Sequence, residues 1–194
     1  AGSPGEQLSR RCVLLLKAAL KPDVWPHLCE PKLAWLDKVF ATADSNAAAC
    51  ANACTALELL VFLLTVLRRD QALVALKPLQ RGLAACVASN NAKIVRLTHN
   101  LLAKLTALFP TEPTGVAQVS KYEELETLYA CVSKYAFEGL ATYEKSAPGN
   151  AATALHGPLM MLKACCSSNP GYIDRLVLPL MRVLHRMVKD HVSS

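Results

Sequence analysis

The 194-residue sequence predicts an all-α chain built as a stack of helix pairs, and three observations carry that prediction. Apolar residues recur at helical spacing along almost the whole chain, with no run of period-two alternation between turn signals. Hydrophobic residues make up 53% and charged residues 19%, enough to bury a sizeable core and too apolar for a disordered tail. Two segments carry a proline in matching surroundings, Leu76-Lys77-Pro78-Leu79-Gln80-Arg81-Gly82-Leu83 and Val177-Leu178-Pro179-Leu180-Met181-Arg182-Val183-Leu184. An interior proline costs a helix roughly 3 kcal/mol, so its recurrence in one frame implies a tolerated, repeated kink.

Helices are expected near 6–20, 32–43, 47–69, 71–88, 92–109, 121–145, 151–168 and 170–191. The opening Ala1-Gly2-Ser3-Pro4-Gly5 has no initiator Met and no readable export signal, and residues 1–11 are expected to be flexible. Pro22, Pro26 and Pro31 around Trp25 read as a stiff connector before the second helix. The third begins within an alanine- and cysteine-rich run, Ala41 to Ala56, and is apolar on every side from Leu57 to Leu67, which suits an interior position. Its longest uncharged apolar run, Leu59 to Leu67, falls short of the about 20 residues that span a bilayer.

Asp70 and Asn90 stand at N-cap positions for the next two helices. The helix 92–109 is plainly two-faced: Ile94, Leu97, Leu101, Leu105 and Leu108 form one stripe, with Lys93, Arg96, Asn100 and Lys104 opposite. Phe109-Pro110-Thr111-Glu112-Pro113 opens a long inter-helix loop, 110–120, suited to binding or movement. Ser120-Lys121-Tyr122-Glu123 has the capping-box form, and Glu123, Glu124 and Glu126 complement the dipole of the helix they begin. A short connector, 145–150, leads to 151–168, and Asn169-Pro170 supplies a cap and first-turn proline for the last helix.

The kinked helix followed by Asn90-Asn91, Lys93, Val95 and Arg96 resembles the two helices of a HEAT repeat. In that register 32–43 pairs with 47–69, 71–88 with 92–109 and 121–145 with 151–168, leaving 6–20 and 170–191 without partners. The fold class is therefore an all-α HEAT/armadillo-like solenoid of about eight helices, one segment over 1–194, whose ends should be sticky.

Catalytic chemistry finds little support. No glycine pattern builds a nucleotide cradle or a nucleophile elbow. Cys50 and Cys54 lie one turn apart without a second pair at finger-like spacing, and His27 with Cys29 has only Cys12 and Glu30 near in sequence, so no metal or cofactor is expected. Cys165 with His156 or His185 lacks an orienting partner for a nucleophile. Seven of the eight cysteines fall among Ala, Leu and Val in predicted helices, as reduced core residues do, which points to cytosol or nucleus.

The chain carries a net charge of +6. Its basic residues form the one surface feature of note: Lys93, Arg96 and Lys104 on one helix, and Arg175, Arg182, Arg186 and Lys189 on the last. Either strip suits acidic peptides or phosphates. Direct nucleic-acid binding is the alternative, although no aromatic is interleaved with the cations to stack on bases.

Longer phrases carry a closer resemblance: KPDVWPHL at 21–28, KLAWLDKVF at 32–40, LVFLLTVL at 60–67, KPLQRGLAAC at 77–86, FPTEP at 109–113, SKYEELETLYACVSKY at 120–135, EGLATYEK at 138–145 and NPGYIDRLV at 169–177. Together they resemble the helical-repeat region of the large pseudokinases in the phosphatidylinositol-3-kinase-related family. The run Ala41 to Ala56 departs from it. The resemblance implies a nuclear scaffold subunit of SAGA-type and NuA-type histone acetyltransferase complexes, whose solenoid offers surfaces to activators such as Myc and to other subunits. It implies no catalysis, no cofactor and no membrane partner.

Overall fold

A computed structural model describes residues 5, 7–8, 10–12, 14, 25–110, 122–145, 151–168 and 170–192, and among these there is helix and no strand. The α-helices with defined bounds are α1 (Trp25–Ala41), α2 (Ala47–Val66), α3 (Arg69–Leu76), α4 (Gln80–Val87), α5 (Ala92–Leu108), α6 (Glu123–Lys145), α7 (Ala151–Ser168) and α8 (Val177–Val192). Described residues between 5 and 14 are also helical; Leu8 and Cys12 are buried there, and the Arg11 guanidinium lies 4.4 Å from the Trp35 ring centroid.

The helices form two layers. In one, α1 packs on α4, α4 on α6 and α6 on α8; in the other, α2 packs on α5 and α5 on α7. Each expected pair also meets across the layers, α1 with α2, α4 with α5 and α6 with α7. Sequential packing of this kind is an α-solenoid, in which each repeat hides its apolar face only against its neighbours.

Local sequence explains the elements and corrects several boundaries. The proline-rich connector is instead helical from Trp25, with Pro26 and Pro31 inside α1. Pro26 sits in the first turn, where its missing N–H has no intrahelical partner to lose. Asn46 caps α2 by accepting a 2.9 Å bond from Ala49 N–H, and Asn91, rather than Asn90, caps α5 through Lys93 N–H and Ile94 N–H. Asp70 lies inside the first turn of α3; Arg68 is the N-cap, its backbone N–H donating 3.2 Å to Gln71 Oε1. The loop 110–120 and the capping-box residues Ser120 and Lys121 lie outside the described residues, apart from Pro110.

Of the two matched prolines Pro78 interrupts α-helix, whereas Pro179 lies in the first turn of α8. Lys77–Leu79 is a 3₁₀ turn between α3 and α4, and Pro170–Leu176 is 3₁₀ before α8, so the last α-helix starts at Val177 rather than 170. A proline ring clashes with the carbonyl four residues before it, and both α-helices therefore begin close to their proline. A third proline, Pro158, sits inside α7. Next to it the Tyr135 hydroxyl comes so close to Gly157 that a Cβ there would collide with it.

The restarted helix α4 is held by a polar ladder from the preceding repeat. Gly82 N–H donates 2.6 Å to Asp37 Oδ1, Cys86 Sγ donates to Phe40 O at 3.8 Å, and Ser89 Oγ donates 2.7 Å to Asp44 Oδ1. Ser89 Oγ in turn accepts from Asn91 N–H, tying the ladder to the cap of α5. The same steps recur one repeat later, where Gln80 Oε1 accepts from Leu128 N–H and Ala84 O accepts from Cys131 Sγ. Cys86 and Cys131 thus hold equivalent places in successive repeats. Gly82 is required by this approach: a Cβ would stand 2.7 Å from Phe40 Cβ and 2.8 Å from Asp37 Oδ1.

The interior is made of leucine with Phe40, Phe109 and Tyr129 fully buried. Contrary to the expectation of an all-round apolar environment, α2 turns Phe62 (50% exposed) and Val66 to solvent while Leu57, Leu60 and Leu63 are buried. By length and composition alone the 20-residue α2 could cross a membrane, a span longer than the apolar run Leu59–Leu67 suggests. Its inner face is packed on α1 and α5.

Candidate partner-binding surface

The seven basic residues singled out by sequence separate onto two layers. Lys93, Arg96 and Lys104 lie on α5, between α2 and α7, with Lys93 and Arg96 exposed and Lys104 half-buried. Arg182, Arg186 and Lys189 lie on α8, in the layer of α6. Arg175 falls in the 3₁₀ segment and its side chain lies outside the described residues. The two strips therefore do not merge into one track.

Arg186 differs from its neighbours. Its Nη1 donates to Tyr143 O at 2.7 Å and also to Glu144 O, its guanidinium lies 5.4 Å from the Tyr143 ring centroid, and its Nε is 3.6 Å from Asp190 Oδ2. The last carbonyls of a helix have no intrahelical donors, and a cation there also meets the negative end of the dipole. Arg186 thus closes the C-terminus of α6 and fastens α8 to it, a structural duty that its sequence strip gives no sign of.

Around this lock lies a cavity of about 510 Å³. Glu144 and Lys145 line it from α6, and Arg182, His185, Arg186, Lys189 and Asp190 from α8. With Asp190 paired to Arg186, the remaining lining is predominantly cationic. Spacings of three and four residues place Arg182, His185 and Lys189 on one helix face. A second cavity, of about 660 Å³, opens where the turn before α2 meets the turn before α5, lined by Asp44, Asn46, Cys50, Asn90 and Asn91. The asparagines Asn46 and Asn91 already serve there as helix caps.

The cysteines with described side chains are free thiols. Burial pushes Cys86 up from its ordinary range to about 12, with Asp44 and Cys54 adding to the rise, and burial also raises Cys12, Cys54, Cys131 and Cys166. Protonated thiols of this kind are poor nucleophiles. Cys29, expected in a connector, lies within α1. Among the described residues no three His, Cys, Asp or Glu side chains gather as a metal would require.

Sequence reasoning missed Asp37, Asp44 and Gln80, whose partners lie 45 to 48 residues away. Only the repeat period could have signalled them.

Comparison with known proteins agrees with this architecture. The chain is 53% identical over its full length to the transformation/transcription domain-associated proteins of Homo sapiens and Danio rerio, and 45% identical over 192 residues to transcription-associated protein 1 of Drosophila melanogaster. It spans about 5% of the length of each of these relatives. No solved structure matches it. The Tra1 HEAT repeat ring region matches residues 1–194 from end to end, and the chain belongs to that family.

Proposed function

We propose that this chain is a non-catalytic scaffold segment of a nuclear transcription coactivator subunit in histone acetyltransferase complexes, presenting its outer helix faces to activators and to other subunits. The observation that carries this reading is the full-length match to a HEAT ring region whose relatives are named for transcription, joined to a two-layer stack. Stacked helix pairs give a long continuous face on which partner segments can lie, and its mechanism is surface contact rather than reaction. Residues 1–194 act as one segment in this reading.

The nucleic-acid alternative loses ground because the two basic strips occupy different layers. The test is crosslinking mass spectrometry of the assembled complex purified from nuclei. Links from Lys93, Lys104, Lys145 or Lys189 to acetyltransferase subunits or activators are expected; links confined to adjoining repeats of the same chain would remove the reading. Filter binding to duplex DNA at two salt concentrations addresses the alternative, which requires retention that falls steeply with salt.

A further inference from the structure

The seam between the second and third helix pairs carries a side-chain cluster that the polar ladder does not include. Phe109 is the C-cap of α5, and Tyr122 immediately precedes α6. The chain runs through 110–121 between them, yet their rings meet edge to face, with centroids 5.2 Å apart and planes at 75°. Both rings face one cation. Arg69, the first residue of α3, donates from Nη2 to the Tyr122 hydroxyl at 2.7 Å. Its guanidinium lies 5.3 Å from the Phe109 ring centroid and 5.6 Å from that of Tyr122.

The backbone on each side of the seam is tied as well. Phe109 N–H donates 2.7 Å to Leu105 O, and Leu125 N–H donates 3.0 Å to Tyr122 O. Tyr129, on α6, donates its hydroxyl to Phe109 O, where a helix end leaves carbonyls without intrahelical donors. All of these partners lie outside 110–121. Three elements therefore converge on one point: the start of α3, the end of α5 and the start of α6, with α3 also packed on α6.

A planar guanidinium can rest against an aromatic ring while its N–H groups donate to a hydroxyl, so one side chain meets both demands here. A lysine would bring the charge without the plane. Arg69 itself stays exposed, and its charge is not taken out of water, while the Phe109 ring it faces is fully buried. The arrangement parallels the far end of α6, where the Arg186 guanidinium lies near the Tyr143 ring and bonds to the helix terminus.

We propose that Arg69 is a positioning residue that latches the second helix pair to the third, fixing the start of α6 against the end of α5 independently of the covalent connection through 110–121. The connection can then be engaged, modified or cut without passing a change in register to the stack. The latch does not depend on which partners the chain has, and so stands apart from the scaffold reading.

The test is a chain that can be cut after it has folded, with a specific protease recognition sequence inserted after Thr114. Hydrogen exchange then reads the Phe109 and Leu125 amides, one on each side of the seam. With Arg69 in place, cutting is expected to leave one species in gel filtration and both exchange rates within about two-fold of the uncut chain. Arg69→Ala should speed both amides by about five-fold or more, cut or uncut, and leave α1 unchanged. Arg69→Lys should recover less than half of that protection. Tyr122→Phe should add little once Arg69 is gone, because the two side chains act as a pair. If Arg69→Ala fails to fold by circular dichroism, Arg69→Met, which keeps the stem and loses the donors, takes its place. Unchanged exchange at Leu125 in the Arg69 variant overturns the latch. So do additive effects of the Arg69 and Tyr122 substitutions. Separation of the cut fragments, or a rise in exchange on cutting as large as that of Arg69→Ala, would mean that the covalent connection sets the seam.

Discussion

The helices α5 and α8 look alike in sequence, each with an apolar stripe and a basic opposite face, yet they live in different surroundings. In α5, Ile94, Leu97, Leu101 and Leu105 are all buried because α2 and α7 flank it and α4 lies beneath. In α8, packed mainly on α6 and the preceding 3₁₀ segment, Val183 is buried while Met181 is 59% exposed and Leu184 and Val188 also face solvent. Amphipathic pattern reports which side of a helix is apolar; position in the stack decides how many neighbours cover it.

That contrast ranks the expected effects of substitution. The largest belongs to the flanked helix: Leu101→Ala should cost about 3 kcal/mol in denaturant unfolding, the usual price of a core cavity. A slightly smaller loss, about 2 kcal/mol, is expected for Gly82→Ala, whose new methyl must push Asp37 and Phe40 aside. If Gly82→Ala proves neutral, the close approach of α1 and α4 is wrong. Arg186→Ala should cost about 1 kcal/mol by leaving the α6 carbonyls without their donor, and Arg186→Lys should restore only part of it. At the small end, Met181→Ser on the uncovered stripe should change stability by less than about 0.5 kcal/mol. A cost there matching Leu101→Ala would mean that α8 is covered in solution.

The thiols sharpen the comparison through pH. Cys86 in the ladder holds its proton up to about 12, and burial also raises Tyr129, whose hydroxyl donates 2.6 Å to Phe109 O. Unfolding lets the thiol ionise near its ordinary value of 9.0, so the stabilisation is fully present below that pH. It is lost as pH rises from 9 towards 12. Thermal melts should therefore fall across that window, and Cys86→Ala should flatten the fall; an identical slope in the variant would remove Cys86 from the explanation.

Much of the architecture was legible because helical periodicity and leucine stripes are local signals. The kink at Pro78 was legible for the same reason, proline acting on the carbonyl four residues before it. Residues 25–31 at the start of α1 were not, because prolines near a helix start resemble a connector until the helix is seen to continue through them. The bonds from Asp37 to Gly82 and from Gln80 to Leu128 were illegible since each partner is a whole repeat away. At the candidate surface, the strip on α8 was visible as charge, yet charge does not distinguish Arg182, which lines an open cavity, from Arg186, which closes a neighbouring helix.

Sequential stacking is tested most directly by residue-resolved hydrogen exchange of the native chain. Amides of α5, flanked on both sides, should exchange slowest, and those of α8 beyond the Arg186 lock should exchange fastest among the helices α4 to α8. Uniform protection of α5 and α8 would contradict an open stack and indicate a closed globule.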